Sequence, residues 1–386
     1  MNRSFSSQLA SHCEAAALAW NVPALAAGIA VGGRVETASV GCDVETVFRV
    51  ASVTKPFTAS LAVSLLDLEA PTGIWPGDVR VRHLLSHTSG FDCELPEADL
   101  VRFGDGDEAL AGAIAELPGV RRWLGVEQVW SYANTGYWLA GFLAAAAAGS
   151  SYEDALTEHV IRRAGLESTS FGPADLPGSG AGVVEGDYPR ARRPSGGLSS
   201  NVPDLLQFGR WHLAQANGAR MRIVHGRPVA GVYGLGLFGE RVAGVEVWGH
   251  SGSWGGYQAS FLVVPDMDAV FVGLTNSGVG GQALRDLEDV FFEQVLGSRR
   301  EPRVPVELSP EQLDAFAGEF ANSEAWYEVT PAVNGLVVTI DDVEYAARPL
   351  SETTFEITEG DLVSYRFDFP LEGFARIGSR LAERVA

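Results

Sequence analysis

The sequence is poor in cysteine. Its 386 residues include three cysteines, Cys13, Cys42 and Cys93, and no C-x-x-C spacing. This pattern predicts neither a disulfide framework nor a zinc site. A reducing compartment is the simpler interpretation, although one disulfide beside a single unpaired thiol is also compatible with the count.

Basic residues and long apolar runs are scarce as well. The net charge of −21 argues against nucleic acid or an anionic membrane as a partner, because both would repel the protein. The longest apolar stretch, residues 136–149, is shorter than the roughly 18 residues that a membrane span needs. His12, Cys13 and Glu14 interrupt the only stretch near the N-terminus that resembles a signal peptide. We therefore expect a cytoplasmic protein without a membrane partner.

The order of local patterns predicts an α+β fold. Alternating residues around Gly32-Gly33 predict a hairpin, and a helix-rich region follows it. From about residue 232 the apolar period becomes that of antiparallel strands, which a helix over 285–297 closes. This order favours a sheet whose first and last segments meet.

The C-terminal part has a different pattern. Residues 300–310 have the composition of a linker, and short alternating stretches follow around Asn334-Gly335 and residues 359–361. About 80 residues of this kind are typical of a small barrel or sandwich. We therefore predict two domains, 1–300 and 301–386.

Local signals predict helix starts and one long loop. Ser150 with Glu153 has the spacing of a capping box, and Asn201 fits an N-cap. Ser309 with Gln312 predicts another helix start. The glycine- and proline-rich segment 172–200 is predicted to be a loop, and loops of this length usually serve a site.

Three short segments contain candidate chemistry, and the first is S-V-T-K. If a helix starts at Ser52, Lys55 lies three residues on, so its amine can approach the Ser52 hydroxyl. A serine nucleophile needs such a base, and a desolvated lysine can serve as one. The N–H groups of the helix start would stabilise an oxyanion. Alone, the segment equally fits a capped helix with a solvated lysine.

The second segment is Tyr132-Ala133-Asn134, before a helix that is almost wholly apolar. A tyrosine there can move a proton between nucleophile and leaving group, and Asn134 can hold an amide substrate or Lys55. The third is His250-Ser251-Gly252, followed by Gly255-Gly256, where glycine leaves the backbone open to a ligand. Alone, these segments equally fit a helix cap and a glycine-rich hairpin.

Together, in this order, S-V-T-K, Y-A-N and H-S-G resemble the serine β-lactamase and penicillin-binding-protein superfamily, in particular its class C branch. The stretches HLLSHTSG (83–90) and PSGGLSSNVPDLLQFG (194–209) also resemble phrases of that branch. The resemblance covers about 20–300. It implies a β-lactamase/transpeptidase-like fold, and the terminal domain resembles the lipocalin-like appendage of some members.

The resemblance also implies roles for these residues. Ser52 would be the acylated nucleophile, Lys55 its activating partner and Tyr132 the general base and acid. Asn134 would contact the substrate amide or Lys55, and Gly252 would lie in the substrate-binding strand. The backbone N–H groups of Ser52 and Ser253 would form the oxyanion hole. Neither a metal nor an organic cofactor is needed.

The sequence departs from the superfamily pattern at His250, where β-lactamases and most penicillin-binding proteins have lysine. Histidine is only partly charged near pH 7, so it would bind a substrate carboxylate less well. The histidine resembles the pattern of esterases, D-aminopeptidases and amide hydrolases of the superfamily. We therefore expect a serine hydrolase that cleaves a small ester, amide or peptide.

Other interpretations stay open. The nearest is a penicillin-binding D,D-carboxypeptidase or a class C-like β-lactamase; one of another class is a non-catalytic binding protein on the same fold. His83 and His87, four residues apart, favour packing or capping over metal binding because no third ligand follows. The basic cluster 190–193 either attracts an acidic substrate or is solvated. A homodimer is possible. The substrate itself is not encoded in these motifs, nor is the choice between Tyr132 and Lys55 as the acylation base.

Overall fold

The computed structural model describes residues 8–92, 94–95, 101–184, 186–360 and 362–386. The helices are α1 Leu9–Ala19, α2 Thr54–Leu65, α3 Val81–Leu85, α4 Ala109–Glu116, α5 Asn134–Ala148, α6 Tyr152–Leu156, α7 Arg162–Ala164, α8 Arg193–Gly196, α9 Val202–Ala214, α10 Ala216–Met221, α11 Gly281–Leu296 and α12 Pro310–Asp314. A π-helical turn, Thr157–Ile161, joins α6 to α7. Short 3-10 turns are Ala51–Val53, Val101–Phe103, Leu117–Gly119, Arg190–Arg192 and Pro265–Met267.

The N-terminal strands form an antiparallel sheet. They are β1 Leu25–Val31, β2 Arg34–Val40, β3 Phe48–Arg49, β4 Ser199–Ser200, β5 Val232–Tyr233, β6 Phe238–Val242, β7 Val245–Trp254, β8 Tyr257–Val264 and β9 Ala269–Thr275. Seven of them follow the order β2-β1-β9-β8-β7-β6-β5, while β3 and β4 pair separately. Because β1 pairs with β9 along its whole length, the first and last segments of the sheet meet as predicted.

Helices cover both faces of this sheet. On one face α1 and α11 bury Leu9, Phe291 and Phe292 against strand residues. On the other face α2, α5 and α9 form the larger core, in which Phe57 stacks on Phe208 with ring centroids 3.7 Å apart. The segments S-V-T-K, Y-A-N and H-S-G lie at the border between this helical layer and the sheet.

The C-terminal strands close into a barrel with its own apolar core. They are β10 Gly318–Ala321, β11 Trp326–Ala332, β12 Gly335–Ile340, β13 Val343–Pro349, β14 Thr354–Ile357, β15 Arg366–Leu371, β16 Phe374–Ile377 and β17 Arg380–Arg384. Each strand pairs with the next, and β17 returns to β10. The α+β class and the lipocalin-like terminal barrel are therefore confirmed, and the sandwich option is excluded. The division at residue 300 stays a prediction.

Most predicted helix starts are present, with one shifted. Asn201 caps α9 and Ser309 forms a capping box with Gln312 at α12. The predicted cap at Ser150 is wrong by one residue: the helix begins at Tyr152, and the Oγ of Ser151 accepts from the N–H of Asp154 at 3.1 Å. Ser151 is extended (ψ 158°), which places its hydroxyl over the first turn.

The cysteines and the long loop add two details. Cys13 is buried and Cys42 half-buried, and neither is in a disulfide among the described residues; Cys93 lies outside them. The segment 172–200 is only partly a loop, because α8 and β4 lie within it. None of the helices in the described ranges has the length and apolarity of a membrane span.

Candidate active site

The pair Ser52 and Lys55 lies where a strand turns into a helix. Strand β3 leads into the 3-10 turn that contains Ser52, and Lys55 is in the first turn of α2. The Lys55 Nζ lies 3.1 Å from the Ser52 Oγ. Pro56 is tolerated here because N–H groups in a first helical turn have no partner within the helix. The residue before the serine, Ala51, has φ +45°, a strained backbone of the kind that proteins keep at functional sites.

Neighbouring backbone holds this turn in place. The N–H of Val50 donates to the carbonyl of Leu198 at 3.0 Å, and the N–H of Leu198 donates to the Thr54 hydroxyl at 3.1 Å. Strands β3 and β4 pair directly beside these bonds. The end of the segment 172–200 therefore fixes the chain on both sides of Ser52.

Tyr132 contacts the same serine from the other side. Its hydroxyl donates to the Ser52 Oγ at 2.9 Å. The backbone around it is anchored twice, because the N–H of Tyr132 donates to the carbonyl of Ser379 at 3.0 Å and that of Ala133 to the Nδ1 of His87 at 3.0 Å. The Ser52 hydroxyl thus lies between an amine and a phenol.

Burial sets the protonation of both partners. Lys55 is fully buried, and desolvation lowers its pKa well below the ordinary value, with Arg380 and Arg192 adding to the effect and Glu94 opposing it. Burial raises the pKa of the Tyr132 hydroxyl above its ordinary value, although the hydrogen bond to Ser52 opposes this. Burial therefore favours a neutral amine, which can accept a proton, and a phenol, which can donate one.

A carbonyl that the motif analysis did not single out positions the lysine. The Lys55 Nζ donates to the carbonyl of Ser195 at 2.7 Å. The Ser195 hydroxyl in turn donates to the carbonyl of Arg192 at 2.9 Å and accepts from the Trp138 indole at 2.9 Å. Ser195 belongs to the stretch P-S-G-G (194–197), whose likeness to the class C branch was the available sequence signal.

Asn134 lies at the start of α5 and is buried. Its Nδ2 donates to the carboxylate of Glu94, whereas Lys55 is held by Ser52 and Ser195 instead. The Asn134 Oδ1 is buried and has no hydrogen-bond partner in the part of the chain that the structure describes. Of the two contacts predicted for Asn134, the substrate amide is the one that this orientation leaves available.

His250 is uncharged in this structure. It is 3 % exposed, and burial together with nearby Lys55 lowers its pKa to about 3. The Nδ1 lies 2.6 Å from the carbonyl of Ser251, a contact that only an N–H can make, so the proton is on Nδ1. The ring centroid is 6.1 Å from that of Tyr132. Strand β7 therefore offers a neutral imidazole where the superfamily pattern has a cation.

Gly252 lets strand β7 pack closely against the nucleophile turn, that is, the 3-10 turn Ala51–Val53 that contains Ser52. A Cβ at this position would lie 2.1 Å from the carbonyl oxygen of Val50 and 3.2 Å from the backbone nitrogen of Ser52. Only glycine permits this approach. Ser253 follows on the same strand, and its hydroxyl accepts from the Gln258 side chain at 2.9 Å. The two predicted oxyanion donors, Ser52 and Ser253, are thus on adjacent segments.

Four charged side chains form a cluster beside the site, and the sequence did not predict that they would lie together. Glu94 is 3.2 Å from Arg192 and 3.4 Å from Arg380, and Arg380 is 2.8 Å from Glu324. The Arg380 guanidinium carbon lies 5.4 Å from the Tyr132 ring centroid. Burial raises the pKa of Glu324 to about 7.

Two members of this cluster, Glu324 and Arg380, come from the barrel, so its assembly depends on how the domains pack. Of its four members, the sequence drew attention only to Arg192, as part of the basic cluster 190–193.

The other arginines of the basic cluster 190–193 are paired elsewhere. Arg190 and Arg193 both bind Glu153, at 2.9 and 2.7 Å. The basic cluster is therefore paired with carboxylates, and the interpretation of a solvated loop is wrong.

The two histidines weighed as metal ligands have structural contacts instead. His83 Nδ1 accepts from the N–H of Arg80 at 3.0 Å, which caps α3, and His87 Nδ1 accepts from Ala133. The His87 ring packs on Tyr132 with centroids 4.3 Å apart. Within the described ranges no group of three or more potential ligands has metal-binding geometry. Capping and packing therefore account for both residues.

The fold and this site define a class of protein. A serine between a buried lysine and a tyrosine, on an antiparallel sheet covered by helices, is the arrangement of a serine hydrolase. The model of the Beta-lactamase family matches residues 11–293, so the chain belongs to the Beta-lactamase family. The predicted superfamily and enzyme class are confirmed.

Individual proteins resemble the chain to different extents. Penicillin-binding protein 4 of Amycolatopsis lactamdurans is 28% identical over 323 residues, which cover 70% of this chain and 82% of that protein. The structure of SurE with D-Leu superposes over 98% of both chains with a TM-score of 0.78 at 24% identity. D-amino acid amidase of Ochrobactrum anthropi SV3 matches 73% of this chain and 98% of its own with a TM-score of 0.61 at 21% identity. The SurE match extends the shared fold to the terminal barrel.

Proposed function

We propose that this protein hydrolyses a small ester, amide or peptide through an acyl-enzyme on Ser52. The observation that carries the proposal is the Ser52 Oγ itself, which lies 3.1 Å from a fully buried amine and 2.9 Å from a phenol. A hydroxyl held between a proton acceptor and a proton donor has what acyl transfer requires.

In the acylation step Lys55 acts as the base. Burial favours its neutral form, so its lone pair can accept the Ser52 proton as the Oγ attacks the substrate carbonyl carbon. Tyr132, whose phenol form burial favours, donates its proton to the leaving amine or alcohol as the bond from the carbonyl carbon to that group breaks. The protonated Lys55, whose Nζ lies 4.7 Å from the Tyr132 ring centroid, then returns a proton to the Tyr132 phenolate.

In the same step the backbone N–H groups of Ser52 and Ser253 stabilise the oxyanion. Support comes from Gly252, whose close approach to Val50 and Ser52 brings strand β7 next to the nucleophile. Water then attacks the acyl carbon and gives a proton to Lys55. As the bond between the acyl carbon and the Ser52 Oγ breaks, Lys55 passes this proton to the Oγ and the acid is released. Asn134 orients the substrate amide through its unpartnered Oδ1, which can accept a hydrogen bond from an amide N–H.

For the substrate we propose an aminoacyl or peptidyl amide or ester rather than a β-lactam. The neutral His250 leaves no fixed cation on β7 for a β-lactam carboxylate. Charges of both signs, Arg380 and Glu324, instead border the site from the barrel, and they suit the ammonium and carboxylate groups of amino acids. D-amino acid amidase and SurE, solved with D-Leu, are among the structural neighbours.

The test is hydrolysis by wild type and Ser52→Ala of D-phenylalanine amide, 4-nitrophenyl acetate and a chromogenic cephalosporin. We expect wild type to hydrolyse the amide and the ester, Ser52→Ala to lose this activity by at least about 10³-fold, and the cephalosporin to remain intact. Equal rates for both proteins would refute Ser52 as the nucleophile. Failure of a fluorophosphonate probe to label wild type would instead favour a non-catalytic binding protein.

A second candidate is a penicillin-binding D,D-carboxypeptidase or β-lactamase, which the 28% identity to penicillin-binding protein 4 favours. It predicts covalent labelling of Ser52 by a fluorescent penicillin. The domain boundary at residue 300, the cytoplasmic location and a homodimer stay predictions, to be tested by limited proteolysis, cell fractionation and light scattering.

A further inference from the structure

A second cavity, of about 690 Å³, lies between the hydrolase sheet and the barrel. Strands β6 and β7 form one wall, and the start of α11, the segment after it and residues before β15 form the other. Two contacts fix the walls: the Gln282 side chain donates to the carbonyl of Val363 at 3.2 Å, and Arg300 binds Glu240 at 2.7 Å. The cavity is thus part of the domain interface.

Arginines dominate the charge of this cavity. Its lining includes Arg241, Arg285, Arg300, Arg303 and Arg366, with Glu240, Glu288, Glu301, Tyr365 and His250 as the other titratable groups. Three arginines are paired: Arg241 with Glu246, Arg300 with Glu240 and Glu288, and Arg303 with Glu356. Among the described residues, Arg285 and Arg366 have no carboxylate within ion-pair distance.

These two arginines are cations that line the same cavity. Burial lowers the pKa of Arg366 to about 10, and the guanidiniums of Arg303 and Arg285 lower it further than Glu240 and Glu356 raise it. Partly buried like charges are unfavourable unless an anion binds between them. A protein with a net charge of −21 has many carboxylates, yet none of the described ones forms an ion pair with Arg285 or Arg366.

Residues next to the proposed active site also line the cavity. They are His250, Ser251 and Ser379, and Ser379 is the residue whose carbonyl accepts from the N–H of Tyr132. The His250 Nε2 has no hydrogen-bond partner among the described residues. Apolar side chains, including Val229, Val247 and Leu262, belong to the lining as well. The cavity therefore combines arginines, apolar side chains and residues that neighbour Tyr132.

We propose that this cavity binds an organic anion, with its carboxylate or phosphate on Arg285 and Arg366 and its apolar part against the apolar side chains of the lining. Because the cavity reaches His250 and Ser379, the bound group is the distal part of the substrate. This assignment rests on the proposed function, whereas the binding site itself does not. Oxyanions suit paired guanidiniums because each can donate two parallel hydrogen bonds.

Calorimetric binding to the full-length Ser52→Ala protein tests this site without turnover. The probes are hexanoate, hexyl phosphate and neutral hexanol. We expect at least one anion to bind while hexanol binds at least tenfold more weakly. Arg285→Gln and Arg366→Gln should each weaken the anion at least tenfold, the usual effect of losing a charge-assisted hydrogen bond. Arg366→Lys, which keeps the charge but loses the bidentate donors, should bind the anion more weakly than Arg366 and more tightly than Arg366→Gln, a graded loss that misfolding would not produce.

The matched control is Arg162→Gln, which removes an exposed arginine paired with Glu158 outside this cavity and should leave binding unchanged. If only hexyl phosphate binds, the natural ligand carries a phosphate. If only hexanoate binds, the natural ligand carries a carboxylate. Binding of neither anion, or equal binding of hexanol, overturns the site. If the anions bind but wild type hydrolyses nothing, the proposed function fails and the site stands. If wild type is active and no anion binds, the site alone fails.

Discussion

At the scale of single residues, the charge of Lys55 depends on groups from distant parts of the chain. Burial and two arginines keep its pKa low, while Glu94 opposes them. Arg380, which lies on the barrel, is the larger of the two arginine contributions. The barrel thus helps to lower the pKa of the Lys55 amine, which favours its neutral, proton-accepting form.

This dependence gives a prediction for Arg380→Gln. Removing the guanidinium makes the protonated form of Lys55 less unfavourable, so the Lys55 pKa rises toward its ordinary value. Since the neutral amine is the proposed base, we expect the acid limb of kcat/KM to move to higher pH. The measurement is the pH profile with an uncharged ester. Arg121→Gln, which removes an exposed bond to Glu383 of the barrel, is the control and should leave the limb in place. If the acid limb of Arg380→Gln coincided with that of wild type, Arg380 would not contribute to the low pKa of Lys55.

At the scale of elements, the nucleophile turn and strand β7 touch through backbone alone. No side chain intervenes between Gly252 and Val50, so the oxyanion geometry depends on how closely the two segments approach. The strained φ of Ala51 belongs to the same arrangement, because the chain must turn sharply to present Ser52 there.

Gly252→Ala should therefore harm catalysis more than folding. The added methyl would meet the Val50 carbonyl at 2.1 Å and push the turn away from β7. We expect a loss of about 1–3 kcal/mol in the free energy of unfolding and about 10²-fold in the rate of fluorophosphonate labelling. Gly281→Ala is the control: it starts α11, its Cβ would come no nearer than 3.9 Å to Gln258, and it should label normally. Normal labelling of Gly252→Ala would contradict the assigned geometry.

The elements and their contacts differ in how far sequence could predict them. Ser52, Lys55 and Tyr132 could be found because local spacing and motif order carry their signal. The hairpins follow from alternation and glycine turns, and the meeting of the first and last sheet segments follows from the order of the elements. The cap at Ser151 was missed by one residue because two serines precede Tyr152 and only backbone conformation distinguishes them. Glu94, Arg380 and the pair Arg285 and Arg366 could not be predicted, since their environments arise from domain packing.

At the scale of the whole molecule, the barrel is joined to the catalytic segment by a buried arginine. Arg376, 4 % exposed, binds Asp368 at 2.5 and 2.8 Å and donates at 2.9 Å to the carbonyls of Trp130 and Arg227. Nearby, the N–H of Leu381 donates to the Ser131 hydroxyl at 3.0 Å. These bonds hold the two residues that precede Tyr132, so the packing of the barrel and the position of the tyrosine are coupled.

Arg376→Met tests this coupling. It leaves the Asp368 carboxylate buried without its cation and removes the donor to the Trp130 carbonyl, so we expect the free energy of unfolding to fall by about 3–5 kcal/mol and hydrolysis to fall with it. The double variant Arg376→Met/Asp368→Leu should recover much of the stability, because no charge is then stranded, but not the activity, because the bond to Trp130 is still missing. Urea unfolding and hydrolysis rates, measured together, separate the two effects. The control Arg299→Met breaks an exposed pair with Glu293 and should cost at most about 1 kcal/mol. If the double variant regained full activity, the barrel would stabilise the chain without positioning Tyr132.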